Sequence, residues 1–178
     1  MMFDMLVRLY DLPDLSKAAA ELEAAGVVVR RPLAPEKYQV VDWVRGHFSL
    51  GWSSECDVSF SREPVGCFIA IKDGKLVGFA CYDSTCRNFF GPTGVLQTER
   101  GNGIGRILLW KCLRAMADAG YAYAVIGGVG PAEFYEKTVG AFPIQGSEPG
   151  IYRGLLRRES DAKNLTKTEK RPKKTTKR

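Results

Sequence analysis

No Cys-x-x-Cys pair occurs in this sequence, and it holds a single histidine, His47. Its five cysteines (Cys56, Cys67, Cys81, Cys86 and Cys112) are odd in number, which argues against a disulfide framework and against a zinc site. A histidine-based metal cluster is excluded, and no metal is expected. Any Cys-His dyad has only His47 to draw on; a surface or helix-end histidine is the plainer reading. Long apolar runs are also missing, since nothing approaches the roughly 20 residues needed to cross a bilayer. Position 4 is an aspartate and no basic stretch precedes an apolar one, which argues against a secretory signal. The expectation is a soluble, cytoplasmic protein with reduced and mostly buried thiols. Cys67 and Cys81 lie in apolar runs, where a cysteine behaves as a small hydrophobe.

What is present fits one globular domain. The chain has 178 residues, 45% apolar and 26% charged, enough to bury a core without staples. The net charge of +6 is unevenly placed. Residues 157–178 hold ten Lys/Arg against three Asp/Glu, a balance of +7, which leaves −1 for residues 1–156. A tail so poor in apolar residues has little to offset ordering entropy and is expected to be disordered in isolation. It can attract nucleic acid nonspecifically, but a solvated appendage is the simpler reading.

Three segments are expected: an added strand-helix unit over 1–26, a main domain over 27–156, and the basic tail over 157–178. Within the first, an apolar stretch at 5–10 precedes a helix over about 13–25, capped near Asp11 and stopped by Gly26. Residues 27–30 are β-branched and strand-like, and helical spacing follows Pro35 through Phe48. Residues 51–60 read as irregular or as a short helix whose polar groups line a site. Two apolar runs, 67–71 and 75–82, flank Lys72-Asp73-Gly74, a strong hairpin signal. Residues 88–97 supply another strand, bent by its glycines and Pro92. From Ile104 to Ala119 one helical stripe is apolar and Gly120 ends it. Then come a buried strand over 121–126, a short helix over 131–138, and terminal strands over 141–156.

The strand-to-helix turn Arg100-Gly101-Asn102-Gly103-Ile104-Gly105 carries the chemistry. A helix start offers unpaired N–H groups and the positive end of its dipole, so a glycine-rich turn there suits a phosphate-bearing ligand. Gly101, Gly103 and Gly105 allow close approach, and Arg100 and Arg106 add positive charge. The dinucleotide fingerprint G-x-G-x-x-G fails because position 106 is arginine, and no Gly-Lys-Ser/Thr follows to make a nucleotide P-loop. Glycines of this spacing also occur in purely structural turns.

Arg100-x-x-Gly103-x-Gly105 opening a helix resembles the coenzyme A motif of the GCN5-related N-acetyltransferase (GNAT) superfamily, over most of 28–156. The segment from Gly127 to Lys137, with Phe134-Tyr135 and then Gly140 and Ala141-Phe142, is similar to that family's second motif. Small bacterial members with Gly-Gly-Val-Gly-Pro and a terminal Pro-Gly-Ile-Tyr, here Pro149 to Tyr152, are the most alike. Many members carry an asparagine at the end of the fifth strand, where this chain has glycines. The resemblance implies an α/β (α+β) GNAT fold: a mixed, twisted sheet whose fourth and fifth strands splay to admit the pantetheine arm of acetyl-CoA. It implies the pyrophosphate over the helix at Ile104, with Asn102 in the cradle, and backbone groups of Val95, Leu96 and Gln97 along the acetyl and pantetheine arm. It also implies Tyr135 as the acid that protonates the departing thiolate; a buried structural tyrosine is the competing reading. The base that takes the amine proton is sought among Glu55, Asp57 and Asp83, each equally readable as a solvated carboxylate. Some relatives place a catalytic glutamate at the start of strand four, where this chain has Arg87-Asn88.

The function so implied is acetyl transfer from acetyl-CoA to a primary amine of a small molecule, amino sugar or peptide. Its acceptor pocket is drawn from 43–60, including Trp52, and from 143–152. A noncatalytic acyl-CoA sensor and nucleic-acid association through the tail are the alternatives. The folded part shows no nucleic-acid reader and no net basic charge. A homodimer is left open.

Overall fold

The computed structural model describes residues 3–156, so the basic tail lies outside the described residues. Among these residues seven strands form one mixed sheet: β1 (Met5–Arg8), β2 (Val27–Arg30), β3 (Cys67–Lys72), β4 (Lys75–Tyr82), β5 (Phe89–Val95), β6 (Tyr123–Ile126) and β7 (Phe142–Pro143). Their spatial order is β2-β3-β4-β5-β6-β1-β7. Five α-helices accompany them: α1 (Ser16–Ala24), α2 (Lys37–His47), α3 (Leu50–Ser59), α4 (Ile104–Asp118) and α5 (Ala132–Val139). The described residues fall into two units, one through residue 148 and one from 149, the second holding a single 3-10 turn at Gly150–Tyr152.

The hairpin β3-β4 forms as its turn residues dictate. Asp73 and Gly74 both take positive φ, 50° and 70°, the conformation that Asp-Gly turns favour. Strand alternation then sorts the side chains. Phe68, Ala70, Ala80 and Tyr82 face one cluster with Ile104, Leu108, Cys112 and Met116 of α4. Cys67, Ile69, Phe79 and Cys81 face another with Val40 and Val44 of α2 and Cys56 of α3. The sheet is thus sandwiched between α1, α4 and α5 on one side and α2 and α3 on the other.

α4 buries Ile104, Ile107, Leu108, Leu109, Cys112, Leu113 and Met116, a broader stripe than its i, i+4 spacing suggested. α1 starts where Asp14 Oδ1 accepts from the Ser16 N–H (2.9 Å), three residues past the expected Asp11 cap. Residues 50–59 make a full helix, opened by Ser49 Oγ accepting from the Trp52 N–H (3.1 Å).

The strand-helix unit expected over 1–26 is built into the sheet through β1: Met5 to Arg8 pair antiparallel with Ile126 to Tyr123, and Met5 and Leu6 pair with Pro143 and Phe142. Met5, Val7 and Leu9 are buried with the main core, so burial on both edges holds this strand in register. The terminal strands over 141–156 shrink to the two-residue β7. Pro143 offers no N–H to extend the ladder, and Gly146 and Gly150 turn the chain at φ 72° and 60°.

Candidate functional site

The sheet opens where β5 and β6 part. They pair in parallel only at Phe89 with Val125 and Phe90 with Ile126, after which β6 ends while β5 runs on to Val95. β5 stays bound to β4 through Thr93, Gly94 and Val95, opposite Ala80, Phe79 and Gly78. The Leu96 N–H donates to Val77 O (2.9 Å), which fixes the hydrogen-bonded pairs of this ladder. By alternation, Val95 is a non-bonded position whose N–H and C=O point away from β4 into the gap. Of the three residues expected to supply backbone groups here, Val95 is the one whose N–H faces the gap. The Leu96 N–H is already engaged with β4, and Gln97 lies in an exposed 3-10 turn that Lys72 and Glu99 clamp with an ion pair (2.9 Å).

Directly after that turn comes the helix start. Gly103 caps α4 at φ 81° with no side-chain cap, and the first bond into the helix runs from the Ile107 N–H to Gly103 O (3.1 Å). The N–H groups of Ile104, Gly105 and Arg106 consequently have no acceptor within the helix. Gly101 and Gly103, both at positive φ, face open space: a Cβ on either would meet nothing within 4 Å. A Cβ on Gly105 would come within 3.6 Å of Val95 Cγ2 and 3.9 Å of Phe134 Cζ, so β5, α4 and α5 converge there. Arg100 Nε donates to Val95 O (3.2 Å), and Arg106 is exposed with no partner among the described residues. Ile104 points its side chain into the core, so only its backbone faces the turn, and Asn102 is exposed.

Tyr135 projects from α5 between Phe134 (5.1 Å between ring centroids) and Phe90 (6.3 Å). Burial pushes its pKa up to about 12. Its hydroxyl meets no hydrogen-bond partner among the described residues. The loop that delivers α5 is held by a residue the sequence reading missed. Asp4 is buried; its Oδ1 accepts from the Gly128 N–H (2.9 Å), its N–H donates to Ser147 Oγ (2.9 Å), and its C=O accepts from the Ile144 N–H (2.9 Å). Thus Asp4, just before β1, ties down the glycine loop that precedes α5. An aspartate just before an apolar run gives no sequence signal of this.

The four acceptor candidates separate. Trp52 stacks on Phe48 (5.4 Å, 28°), and Phe48 lies so close to β5 that a Cβ on Gly94 would sit 2.5 Å from its ring. Trp52 thereby joins an aromatic wall over β5. Glu55, half-buried, accepts from the Thr85 hydroxyl. Asp57 is committed to Lys37 of α2 (2.9 Å). Asp83 is buried and engaged: its side chain is 2% exposed and pairs with Arg62 (2.6 Å), the Tyr121 hydroxyl (3.0 Å) and the Asn88 N–H (2.6 Å). With φ at 55° it turns the chain between β4 and β5, and its acceptor atoms are taken.

A family model described as the acetyltransferase (GNAT) family matches residues 35–141. Among solved structures the chain is similar to a GCN5-related glucosamine N-acetyltransferase region of a fungal multi-domain GH3 β-N-acetylglucosaminidase, with TM-score 0.65, 16% identity, and 80% of this chain and 20% of that one covered. It is also similar to a GCN5-related N-acetyltransferase from Sphaerobacter thermophilus (TM-score 0.62, 17% identity, 80% and 48% covered). A third, from Kribbella flavida, gives TM-score 0.56 at 19% identity, with 80% and 54% covered. The chain thus spans between a fifth and about half of the length of these proteins, and at such identities the likeness is one of fold. No curated protein matches the sequence.

Proposed function

This chain belongs to the acetyltransferase (GNAT) family of acyltransferases, and on that premise we propose that it moves an acetyl group from acetyl-CoA to a primary amine by direct attack. The observation that carries this reading is the open wedge between β5 and β6 facing the uncapped start of α4. The pyrophosphate sits on the N–H groups of Gly103 to Arg106, with Arg106 free to pair with it, where charge-assisted bonds are worth roughly 1.5–3 kcal/mol each. The pantetheine arm follows β5 into the wedge, and the Val95 N–H faces the thioester oxygen as negative charge develops. Tyr135 protonates the departing thiolate.

The aromatic wall of Phe48 and Trp52 and the Glu55 carboxylate supply the acceptor side. Glu55 is the base of choice, because Asp83 is fully engaged and Asp57 is paired with Lys37. A reducing compartment that holds acetyl-CoA, the cytoplasm, suits five unpaired thiols. The acceptor is a small-molecule or peptide amine.

Thermal melts with and without acetyl-CoA test the cofactor, and thiol release across a panel of small amines, amino sugars and peptides tests the transfer. A ligand-dependent rise in melting temperature with turnover of at least one amine is the expected result. A rise with no turnover across the panel assigns a sensor, and no rise at all refutes the site.

A further inference from the structure

We propose that Cys56, Cys67 and Cys81 form a three-coordinate site for a trivalent thiophilic metalloid of the arsenite class, held as a neutral tris-thiolate. No local spacing announces such a site, because its ligands come from three elements. Cys67 of β3 and Cys81 of β4 are directly opposed. The Tyr82 N–H to Gly66 O bond (2.9 Å) beside them makes theirs a non-hydrogen-bonded pair, the kind with closer side chains. Cys56 reaches down from α3 onto the same spot. All three Sγ atoms lie within 4.8 Å of one another, and all three residues are wholly buried.

Metal–sulfur bonds of about 2.3 Å place three sulfurs around one centre roughly 3.5–4 Å apart. At no more than 4.8 Å apart, the three sulfurs lie close to that spacing.

Charge decides which ion fits. Val40, Val44, Ile69 and Phe79 surround the cluster, and among the described residues no histidine or carboxylate joins the three sulfurs as a fourth ligand. The nearby Ser59 hydroxyl is spent on Cys56 O (2.6 Å). Three thiolates around Cu(I) would leave two negative charges in this apolar pocket, and around Zn(II) one negative charge and an unfilled fourth position. Uncompensated buried charge costs several kcal/mol. A trivalent centre leaves none.

The reaction balances without a redox partner. Arsenous acid, As(OH)₃, exchanges three As–O bonds for three As–S bonds. Each thiol proton leaves on a hydroxyl as water, and arsenic stays in the +3 state. An occupied site would bolt α3, with Trp52 and Glu55 on it, to the β3-β4 hairpin.

The test uses the reduced full chain and sodium arsenite, with excess removed by gel filtration. Intact mass under native conditions is expected to rise by one arsenic less three hydrogens, and titratable thiols after denaturation to fall from five to two. Alkylation mapping should find Cys56, Cys67 and Cys81 protected while Cys86 and Cys112 react. Cys67→Ala and Cys56→Ala, checked for a cooperative melt, should lose retention, and Cys86→Ala should keep it. If either variant fails to fold, the mapping on wild type decides alone. Arsenic bound through Cys86 or Cys112, protection of only two thiols, no retention, or displacement of arsenite by equimolar Zn(II) or Cu(I) would each overturn the proposal.

Discussion

Replacing Tyr135 by phenylalanine separates catalysis from packing unusually cleanly, because the hydroxyl has no hydrogen-bond partner among the described residues. The ring contacts with Phe134 and Phe90 survive the change. No buried donor or acceptor is orphaned, so stability at neutral pH should move by no more than about 0.5 kcal/mol. The chemical step should slow by a factor of about 10²–10⁴, or roughly 2.7–5.5 kcal/mol of barrier, with acetyl-CoA affinity nearly unchanged. Alkaline pH gives a second signature. Burial lifts this phenol from 10.0 to about 12, so above pH 10 the unfolded tyrosine has lost a proton that the folded one retains. The unfolded state then binds fewer protons, and stability falls as pH rises, by about 1.4 kcal/mol per unit until the folded group titrates. Urea unfolding from pH 9 to 11 should show this slope in wild type and a shallower one in Tyr135→Phe; the other tyrosines contribute equally to both. Single-turnover acetyl transfer at equal rates in the two proteins would refute the catalytic role. A loss above about 1 kcal/mol at pH 7 would show that the hydroxyl had a structural partner.

Three other outcomes are expected. Gly103→Val forces a β-branched residue to φ 81° and puts bulk where the phosphate approaches, so a folded variant should lose the acetyl-CoA-dependent rise in melting temperature; an undiminished shift would remove the cradle. Asp83→Asn weakens the hold on Arg62 and strains the bonds to Tyr121 and Asn88, costing about 2–4 kcal/mol or roughly 4–16 °C in Tm, while leaving the pH profile of the rate in place. A changed profile would restore Asp83 as base. Arg30 holds the Glu36 carboxyl down to about 2 through two hydrogen bonds (2.8 and 2.6 Å), assisted by the Leu33 N–H, so its stabilisation is present above the ordinary value of 4.5 and is lost as pH falls toward 2. The Arg30 side chain is 38% exposed, so solvent screening keeps this to about 1 kcal/mol, and Glu36→Gln should flatten acid unfolding by that much.

The elements legible in the sequence are those whose signal is local. The Asp73-Gly74 turn and the apolar stripe of α4 each report their own conformation, and the glycines before α4 report an uncapped helix start. α3 was harder to read because the residues it buries are Ser53, Cys56 and Ser59, small groups that make no apolar stripe although they recur every third position. Nothing near Asp83 in sequence indicates that donors from positions 62, 88 and 121 converge on it. The Leu96 N–H looked available because its acceptor, Val77, belongs to another strand. Asp4 and the three clustered thiols escaped for the same reason: their partners are distant in sequence and meet only once the sheet has formed.

The place of β1 between β6 and β7 also fixes the order in which the protein can be finished. Met5 pairs with Ile126 and Pro143, so this strand is made before its partners and waits for residues well over a hundred positions later. Closing so long a loop costs about 4 kcal/mol of chain entropy before any pairing offsets it. Until residues 123–126 have emerged from the ribosome, Met5, Val7 and Leu9 are apolar groups without a core, on a strand whose two edges can pair with another chain. The hairpin, α4 and their packing can assemble early, but the Asp4 tie that holds the Gly128 loop comes last, and with it the seating of Tyr135.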